Sequence, residues 1–285
     1  MKIMRMDYVL QEKVYETLTD VKAKDIGVAF SGGVDSALLA KACKDIGKNI
    51  KLLTIGFSSQ KDIQNSIQCS KEMNISLHHN TISLQELENS LGTVLSRINY
   101  KRIVQLENSM GFYHVFKLAS THKVFNVLSA NGIDELFCGY HKYRSQYKKN
   151  KEAIPALMKT LTETAKKDKK EIDKLSSLYG IKYTCPFLSN SFVNFALTVP
   201  LRFKIKDEKD TLRKHIVRET ALRMGVPKLV AYKSKKAFQY SSGIHKAIMK
   251  LAQKKGFTKM KAKNAGYRGK IEAYIKVIAQ DLIET

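Results

Sequence analysis

The stretch that decides the fold is IGVAF at residues 26–30, followed directly by SGGVDS at residues 31–36 and ALLAKA at residues 37–42. A short apolar run, a turn rich in glycine and serine, and a helical pattern are typical of a buried parallel strand, a tight loop and a helix. Glycines let the backbone turn sharply, and the first N–H groups of a helix are free to bind an anion. The sequence therefore predicts an anion-binding loop at the carboxyl end of the first strand.

The same alternation of strands and helices continues around this loop. The pattern predicts helices over 5–22, 60–73 and a region near 83–121, and strands over 51–57, 75–80 and 124–128. Beyond about residue 145 the strand pattern stops, and helices and loops are expected. Strands that alternate with helices indicate an α/β fold with a parallel sheet, here followed by a C-terminal helical part.

The acidic residue of the first loop indicates a metal ion. The hydroxyls of Ser31 and Ser36 suit a phosphate, whereas Asp35 would repel one unless a divalent cation lay between them. Mg²⁺ suits that position, because it is held by one or two carboxylates together with phosphate oxygens. The loop lacks the Gly-Lys-Ser/Thr ending of a Walker A motif. A loop that only caps a helix is the less favoured alternative.

A second loop, SANGIDELFCGY at residues 129–140, also follows a predicted strand directly. Asp134 and Glu135 begin a predicted helix, so that on its own this pair is equally well explained as a helix cap. Ligands of parallel sheets bind outside the carboxyl ends of the strands. Because Asp35 follows another strand, Asp134 is favoured as a second Mg²⁺ ligand.

These two loops together resemble the synthetase domain of asparagine synthetase, a family of PP-loop ATP pyrophosphatases that cleave ATP to AMP and pyrophosphate. The resemblance extends to TIGF at 54–57, CPFL at 185–188 and KSKKAF at 233–238, and covers about residues 25–245. It implies a PP-loop (adenine nucleotide alpha hydrolase-like) ATP-binding α/β region over residues 1–148. Residues 149–285 are then a helical region that completes the active site.

The resemblance also implies an activity and a set of site residues. The expected enzyme is an ATP-dependent carbon–nitrogen ligase that adenylates a small carboxylate and transfers it to an amine or ammonia, with Mg²⁺ at Asp35 and Asp134. Lys235, at the position of the family's K-x-x-F lysine, and Asp134 are the expected catalytic residues; by its sequence alone Lys235 is one more surface lysine. The residues expected to bind ATP and pyrophosphate are Ser31, Gly32, Gly33, Asp35, Ser36, Ile55, Gly56, Ser129, Asn131 and Gly132.

Three positions depart from the family pattern. Asn131 stands where the family has Glu, Thr184 where it has Arg, and Ser189 where it has Asp. The residues that activate ATP are therefore expected to be intact, whereas the part of the site that receives the substrate and the amine is expected to differ. This weighs against aspartate as the substrate. Met1 is followed by Lys2 rather than by a nucleophilic Cys, so the amine is expected from ammonia, another amino compound or a separate glutaminase subunit.

The formal net charge of +24 raises a second hypothesis. Basic stretches over 141–170 and 246–270 are suited to RNA, so that a tRNA-modifying PP-loop ATP pyrophosphatase is the runner-up. Most of these residues are Lys, which is less suited than Arg to bidentate contacts with phosphates and bases. Solvated helix faces are therefore the favoured explanation of the charge, and nucleic acid is not the preferred partner. A nucleotide-binding regulator without activity, suggested by Asn131 and Ser189, is a third hypothesis.

Compartment and redox state are also predicted. No apolar run approaches the roughly 18 residues of a membrane span, and the start lacks a secretory signal, so a cytoplasmic protein without membrane attachment is expected. No C-x-x-C pair occurs among the four cysteines, which are Cys43, Cys69, Cys138 and Cys185. Four reduced cysteines in partly buried positions are expected, with neither a disulfide framework nor a cysteine metal site.

Overall fold

The computed structural model describes residues 5–57, 60–234 and 237–284. The strands are β1 (Asp25–Ala29), β2 (Asn49–Phe57), β3 (Ser76–Ile82), β4 (Asn126–Leu128) and β5 (Lys182–Thr184). The helices are α1 (Met6–Thr19), α2 (Val34–Asp45), α3 (Gln60–Met73), α4 (Leu84–Arg97), α5 (Ile103–Thr121), α6 (Ile133–Leu136), α7 (His141–Lys149), α8 (Ile154–Ser176), α9 (Asn190–Thr198), α10 (His215–Arg223), α11 (Lys228–Ala231), α12 (Phe238–Ser241), α13 (Ile244–Lys254), α14 (Lys259–Asn264) and α15 (Lys270–Glu284).

The five strands form one sheet in the order β3-β2-β1-β4-β5. Every neighbouring pair is parallel, with Asp25 opposite Asn49 across β1 and β2, and Gly27 opposite Val127 across β1 and β4. The α/β fold with a parallel sheet, predicted from the alternating pattern, is confirmed.

Both faces of the sheet are buried, as the apolar strands require. Adjacent residues of a strand point to opposite faces, so Leu52 packs in the cluster with α1, α2 and α10, and Leu53 in the cluster with α4, α5 and α13. Leu128 and Val127 of β4 divide between the two clusters in the same way. The sheet is therefore the middle of three layers.

The strand order places the two sequence motifs side by side. From β1 the chain adds β2 and β3 on one side, and later β4 and β5 on the other. Loops leaving β1 and β4 at their carboxyl ends therefore diverge and leave a crevice between them, which is where open α/β sheets bind ligands. The segments that follow these two strands are the loops at 31–36 and 129–140.

The expectation that strands stop near residue 145 was wrong. Lys182–Thr184 pairs with β4 and adds a fifth strand. A strand of three residues, of which only Tyr183 is fully buried, is too short to show an alternating pattern. The division at 148/149 stays a prediction, since the later part of the chain supplies one edge of the sheet.

The predicted helical region near 83–121 is two helices. Ser83 caps α4 by accepting a hydrogen bond from the Glu86 backbone N–H, and the Glu86 carboxylate accepts one from the Ser83 backbone N–H. The helix ends where Ile98 takes an extended conformation, and α5 starts at Ile103. This reciprocal cap fixes the start of α4, as Ser-x-x-Glu sequences do.

The four cysteines are free, as expected of reduced thiols, and they are more completely buried than predicted. Burial raises the pKa of the Cys43 thiol to about 12, so this side chain packs as a small neutral group. Within the described residues, no helix has the length and apolarity that crossing a bilayer demands.

Candidate active site

The loop after β1 is built around two serines and a left-handed glycine. Gly32 has φ +64°, and a Cβ there would lie 3.0 Å from the Ser66 hydroxyl of α3, so glycine suits both the turn and the space. The Ser36 hydroxyl donates to the Gly33 carbonyl at 3.1 Å, and its oxygen lies 3.3 Å from that of Ser31. The loop therefore gathers two hydroxyls at the first turn of α2, where backbone N–H groups point outward.

The loop after β4 separates the roles of its two acidic residues. The Gly132 backbone N–H donates to Glu135 Oε2 at 3.0 Å, so Glu135 is the side chain that caps α6. Gly132 has φ +111°, and a Cβ there would lie 2.7 Å from the Phe187 carbonyl oxygen. The capping alternative for this loop thus applies to Glu135, while the Asp134 carboxylate has a different partner.

Lys214 joins the two loops. Its Nζ lies 2.9 and 2.7 Å from the two carboxylate oxygens of Asp35, and 2.9 Å from Asp134 Oδ1. Both carboxylates therefore lie within one hydrogen bond of the same atom. The Lys214 side chain is 1% exposed, while those of Asp35 and Asp134 are 17% and 14% exposed. Asp35 and Asp134, predicted to meet at the carboxyl ends of two strands, do meet.

A strained segment places Lys214 between the carboxylates. Arg213 and Lys214 have φ +49° and +53°, a conformation that costs non-glycine residues on the order of 1–3 kcal/mol each. Arg218 of α10 supports the segment, because its guanidinium donates to the carbonyls of Arg213 at 2.8 Å and Leu212 at 2.7 Å. The same group donates to the carbonyl of Ala231, so the residues before α10 are fixed to the end of α11.

Asp210 holds the other end of this segment. Its Oδ1 accepts hydrogen bonds from the backbone N–H groups of Leu212 at 3.0 Å and Arg213 at 2.9 Å. Burial raises the pKa of Asp210, but the backbone N–H groups of Arg213 and Lys206 and the side chain of His215 outweigh it and bring the pKa to about 2. Asp210 is therefore an ionised, fixed acceptor for the turn that leads to Lys214.

A cavity of about 440 Å³ opens beside these residues. Its lining includes six of the predicted site residues, namely Ser31, Asp35, Ser36, Ser129, Asn131 and Asp134. Part of its wall comes from α5 and α8, and there Arg102, the residue before α5, donates through Nη2 to both Asp168 oxygens at 2.9 and 2.7 Å. The cavity is larger than a metal site needs and belongs to the size range of small-ligand pockets.

Two tyrosines support the second loop. Tyr140 donates to Glu135 Oε1 at 2.5 Å, and Tyr143 donates to the Glu135 backbone carbonyl. Burial, with the negative charge of Glu135 beside it, raises the pKa of Tyr140 well above its usual value. Burial likewise raises the pKa of Tyr143. Both phenols therefore remain protonated donors that hold α6 in place.

The positions that depart from the family pattern have other partners here. Asn131 Nδ2 donates to the Tyr183 hydroxyl at 3.3 Å, and that hydroxyl lies 2.7 Å from Ser129 Oγ. Ser189 caps α9 by accepting from the Phe192 backbone N–H at 3.3 Å. Asn131 thus takes part in a neutral hydrogen-bond network, and Ser189 serves the helix that follows it.

The remaining predicted site residues are placed differently. Ile55 and Gly56 lie in β2 and are buried; neither lines the cavity. Lys235 lies outside the described residues, although Ala237 and Phe238, which follow it closely, do line the cavity. The roles predicted for Lys235, Ile55 and Gly56 stay predictions.

Sequence reasoning missed Lys214, Arg213 and Arg218. In a chain with 50 Lys and Arg residues, three more basic side chains carry no pattern of their own. One signal was present: Arg213, Lys214 and His215 stand at the start of α10, where the helix dipole disfavours positive charge. Basic residues at a helix N-terminus point to a nearby negative partner, which here is the carboxylate pair.

The Asp35 and Asp134 carboxylates are arranged in a way that suits a divalent cation. Asp35 and Asp134 already converge on one cation, the Lys214 ammonium, so their geometry favours positive charge. Within the described chain, no three His, Cys, Asp or Glu residues gather as a metal site. Two carboxylates completed by phosphate oxygens are the typical environment of Mg²⁺.

The profile of the family described as "Asparagine synthase" matches residues 6–171 and 156–273. The chain belongs to the asparagine synthase family. The matched region includes both loops and the segment around Lys214, so the site lies within the part of the chain that defines the family.

Curated relatives in this family share the same region. The chain is 27% identical over 265 residues to "Putative asparagine synthetase [glutamine-hydrolyzing] 1" of Methanocaldococcus jannaschii, covering 82% of this chain and 49% of that protein. It is 28% identical over 231 residues to "Asparagine synthetase [glutamine-hydrolyzing]" of Rattus norvegicus, covering 77% and 40%. The chain thus spans half or less of the length of these relatives.

A solved structure titled "Structure of NMN synthetase from Francisella tularensis" is also similar, with a TM-score of 0.43 and 16% identity. It covers 96% of this chain and 92% of that one. This likeness is too low to bear on the site.

Proposed function

We propose that this chain is an ATP-dependent carbon–nitrogen ligase that adenylates a small carboxylate and transfers the acyl group to an amine or ammonia. One observation carries the proposal: the Asp35 and Asp134 carboxylates converge beside a ligand-sized cavity, at the point where the strand order reverses. Two fixed carboxylates there would suit a metal–nucleotide complex, because Mg²⁺ is typically held by one or two carboxylates together with phosphate oxygens. Membership of the asparagine synthase family supports the same assignment.

The first step is the activation of the carboxylate. A carboxylate oxygen attacks the α-phosphorus of ATP, the bond from that phosphorus to the bridging oxygen breaks, and pyrophosphate leaves. We propose that Ser31, Ser36 and the N–H groups of the first loop bind the pyrophosphate, and that Asp35 and Asp134 hold Mg²⁺. The cation, when bound, supplies positive charge that stabilises the departing pyrophosphate.

The second step is transfer to the amine. The amine nitrogen attacks the acyl carbon of the adenylate, the bond to the AMP oxygen breaks, and the nitrogen releases a proton. We propose Lys235 as the cation that offsets the negative charge in both steps, a kind of help worth about 3–4 kcal/mol for one donor. The identity of the carboxylate, the nitrogen source and a separate glutaminase subunit stay predictions.

Release of pyrophosphate tests this proposal. Purified protein with ATP, Mg²⁺ and ammonium or glutamine is screened over amino acids and other small carboxylates. The Asp35→Asn and Asp134→Asn variants are expected to lose about 100-fold of the rate, as enzymes do when a preorganised charge contact is removed. Asp20→Asn, at an exposed position after α1, is the matched control and is expected to stay within about twofold. Equal rates in Asp35→Asn and the wild type would contradict the proposal.

A second candidate is a tRNA-modifying enzyme of the PP-loop type. The observation in its favour is that the lysines over 254–263 are exposed, on and near α14. If they bind RNA, the affinity for bulk tRNA falls steeply with salt and tRNA stimulates AMP formation. We favour the first candidate, which expects AMP formation to depend on a small carboxylate and to be indifferent to tRNA.

A further inference from the structure

The position between the Asp35 and Asp134 carboxylates is already filled by a positive charge. The Lys214 ammonium contacts three of their oxygens at 2.7–2.9 Å and is almost fully buried. A divalent cation that binds both residues needs at least one of these oxygens, because the ammonium contacts both oxygens of Asp35. Lysine and metal therefore compete for one set of ligands.

Placing Lys214 at this position costs free energy that an ion pair at an unstrained surface position does not cost. Arg213 and Lys214 both take left-handed backbone conformations, and Lys214 stands at the N-terminus of α10, where positive charge is disfavoured. Arg218 and Asp210 fix this segment from both sides. A lysine at an unstrained position could form the same ion pair without the hydrogen bonds of Arg218 and Asp210. Stabilisation of the fold therefore explains this arrangement poorly.

We propose that Lys214 is a built-in substitute for the divalent cation: in the nucleotide-free protein it occupies the carboxylate pair and excludes Mg²⁺, which enters only together with ATP. The inference rests on the proposed function, because it takes the bound anion to be a nucleotide. The phosphates supply the metal with further ligands and offer the ammonium another anionic partner. Both effects shift the competition from lysine to metal.

The charge balance explains why the site stays ready for a cation. The Lys214 ammonium contacts both carboxylates, Arg213 and Arg218 add positive charge near them, and both carboxyl side chains retain some exposure toward the cavity. Without the ammonium, two carboxylates in such proximity repel each other. Lys214 thus holds both carboxylates in place until the metal–nucleotide complex arrives.

Binding of Mn²⁺, a spectroscopic probe for Mg²⁺, tests this without turnover. Free Mn²⁺ is measured by electron paramagnetic resonance with the full chain, alone and with an ATP analogue whose α,β-bridging oxygen is a methylene group. The wild type is expected to bind Mn²⁺ weakly alone and at one equivalent with the analogue. Lys214→Met is expected to bind one Mn²⁺ without nucleotide at least about tenfold more tightly than the wild type, a modest part of the effect of removing a unit charge in contact.

The controls separate this effect from general ones. Lys214→Arg keeps the charge and is expected to bind Mn²⁺ as weakly as the wild type, while Lys214→Met combined with Asp35→Asn is expected to lose the gain. The inference is overturned if the wild type alone binds one Mn²⁺ as tightly as with the analogue, or if folded Lys214→Met gains nothing. If Lys214→Met does not fold, the two wild-type measurements decide.

Failure of this inference is distinguishable from failure of the proposed function. If Mn²⁺ binding contradicts the competition while pyrophosphate release still requires Mg²⁺ and Asp35, only the role of Lys214 is wrong. If ATP is cleaved to ADP, the proposed function fails, and the Mn²⁺ measurements still report on the lysine.

Discussion

Gly139 leaves the space that the Asp134 side chain occupies. A Cβ at this position would overlap the Asp134 carboxylate and crowd its Cα, and the Gly139 backbone N–H donates to the Asp134 carbonyl at 2.8 Å. The Gly139 carbonyl in turn accepts from Arg213 Nη2 at 3.0 Å. One residue therefore connects the second loop to the segment that carries Lys214.

Gly139→Ala is expected to displace the Asp134 carboxylate and to lower pyrophosphate release about as far as Asp134→Asn does, by about 100-fold. Gly269→Ala is the matched control, since a Cβ there would meet nothing within 4 Å. Circular dichroism establishes that both variants are folded. A folded Gly139→Ala protein with a rate within twofold of the wild type would show that the position of Asp134 is unimportant.

Lys204 is a buried cation away from the cavity. Its ammonium donates to the Ala196 carbonyl at 2.6 Å and lies 5.4 Å from the centre of the Phe137 ring. Burial lowers the pKa of Lys204 to about 8, against 10.5 for an unburied lysine. Between these values the unfolded chain binds the proton that the folded chain has lost, so the free energy of unfolding rises with pH.

Lys204→Met removes this titration. Between pH 7 and pH 10, the free energy of unfolding of the wild type is expected to rise by roughly 2–3 kcal/mol relative to that of Lys204→Met, since one pKa unit corresponds to about 1.4 kcal/mol. Urea denaturation of both proteins at the two pH values measures the difference, in which the other titrating groups cancel. A constant difference across this range would mean that Lys204 keeps its proton in the folded state.

Among the elements, α10 has the largest influence on the site. Arg218 donates to four carbonyls, those of Leu212, Arg213, Ala231 and Lys233. A lysine has no planar fork and cannot satisfy them together. Buried carbonyls left without donors cost about 1–3 kcal/mol each.

Arg218→Lys is therefore expected to lower the free energy of unfolding by about 2–4 kcal/mol and to reduce pyrophosphate release, because Lys214 loses its support. Urea denaturation measures the first effect. Arg97→Lys, exposed in the last turn of α4, is expected to change stability by less than about 0.5 kcal/mol. An equal decrease in the free energy of unfolding of Arg218→Lys and Arg97→Lys would refute the role given to Arg218.

Elements with a local pattern were predictable, and those defined by distant contacts were not. The strand, loop and helix over 25–45 follow from an apolar run, two glycines and a helical period within twenty-odd consecutive residues. β5 has three residues and is a strand only because β4 lies beside it. Lys214 meets Asp35 across 179 positions of sequence and Asp134 across 80, which no spacing rule can anticipate.

At the scale of the whole molecule, the C-terminal part completes the core of the sheet. The cluster on the α2 face includes Phe187, Phe192, Ile216 and Val217, all from beyond residue 148. β5 pairs with β4. Residues 1–148 alone would expose these apolar surfaces and an unpaired sheet edge.

We therefore expect a fragment of residues 1–148 not to fold by itself, whereas the whole chain unfolds in one cooperative thermal transition. Circular dichroism over temperature compares the two. A cooperative transition in the fragment would establish 148/149 as the boundary of an independent domain and contradict this expectation.

The most direct test of the central claim is which bond of ATP is broken. Phosphorus nuclear magnetic resonance follows ATP and Mg²⁺ in the presence of the wild-type chain, ammonium and a pool of amino acids and small carboxylates. We expect AMP and pyrophosphate in equal amounts from the wild type, and their formation about 100-fold more slowly in Asp35→Asn. ADP and inorganic phosphate as the products would contradict the central claim.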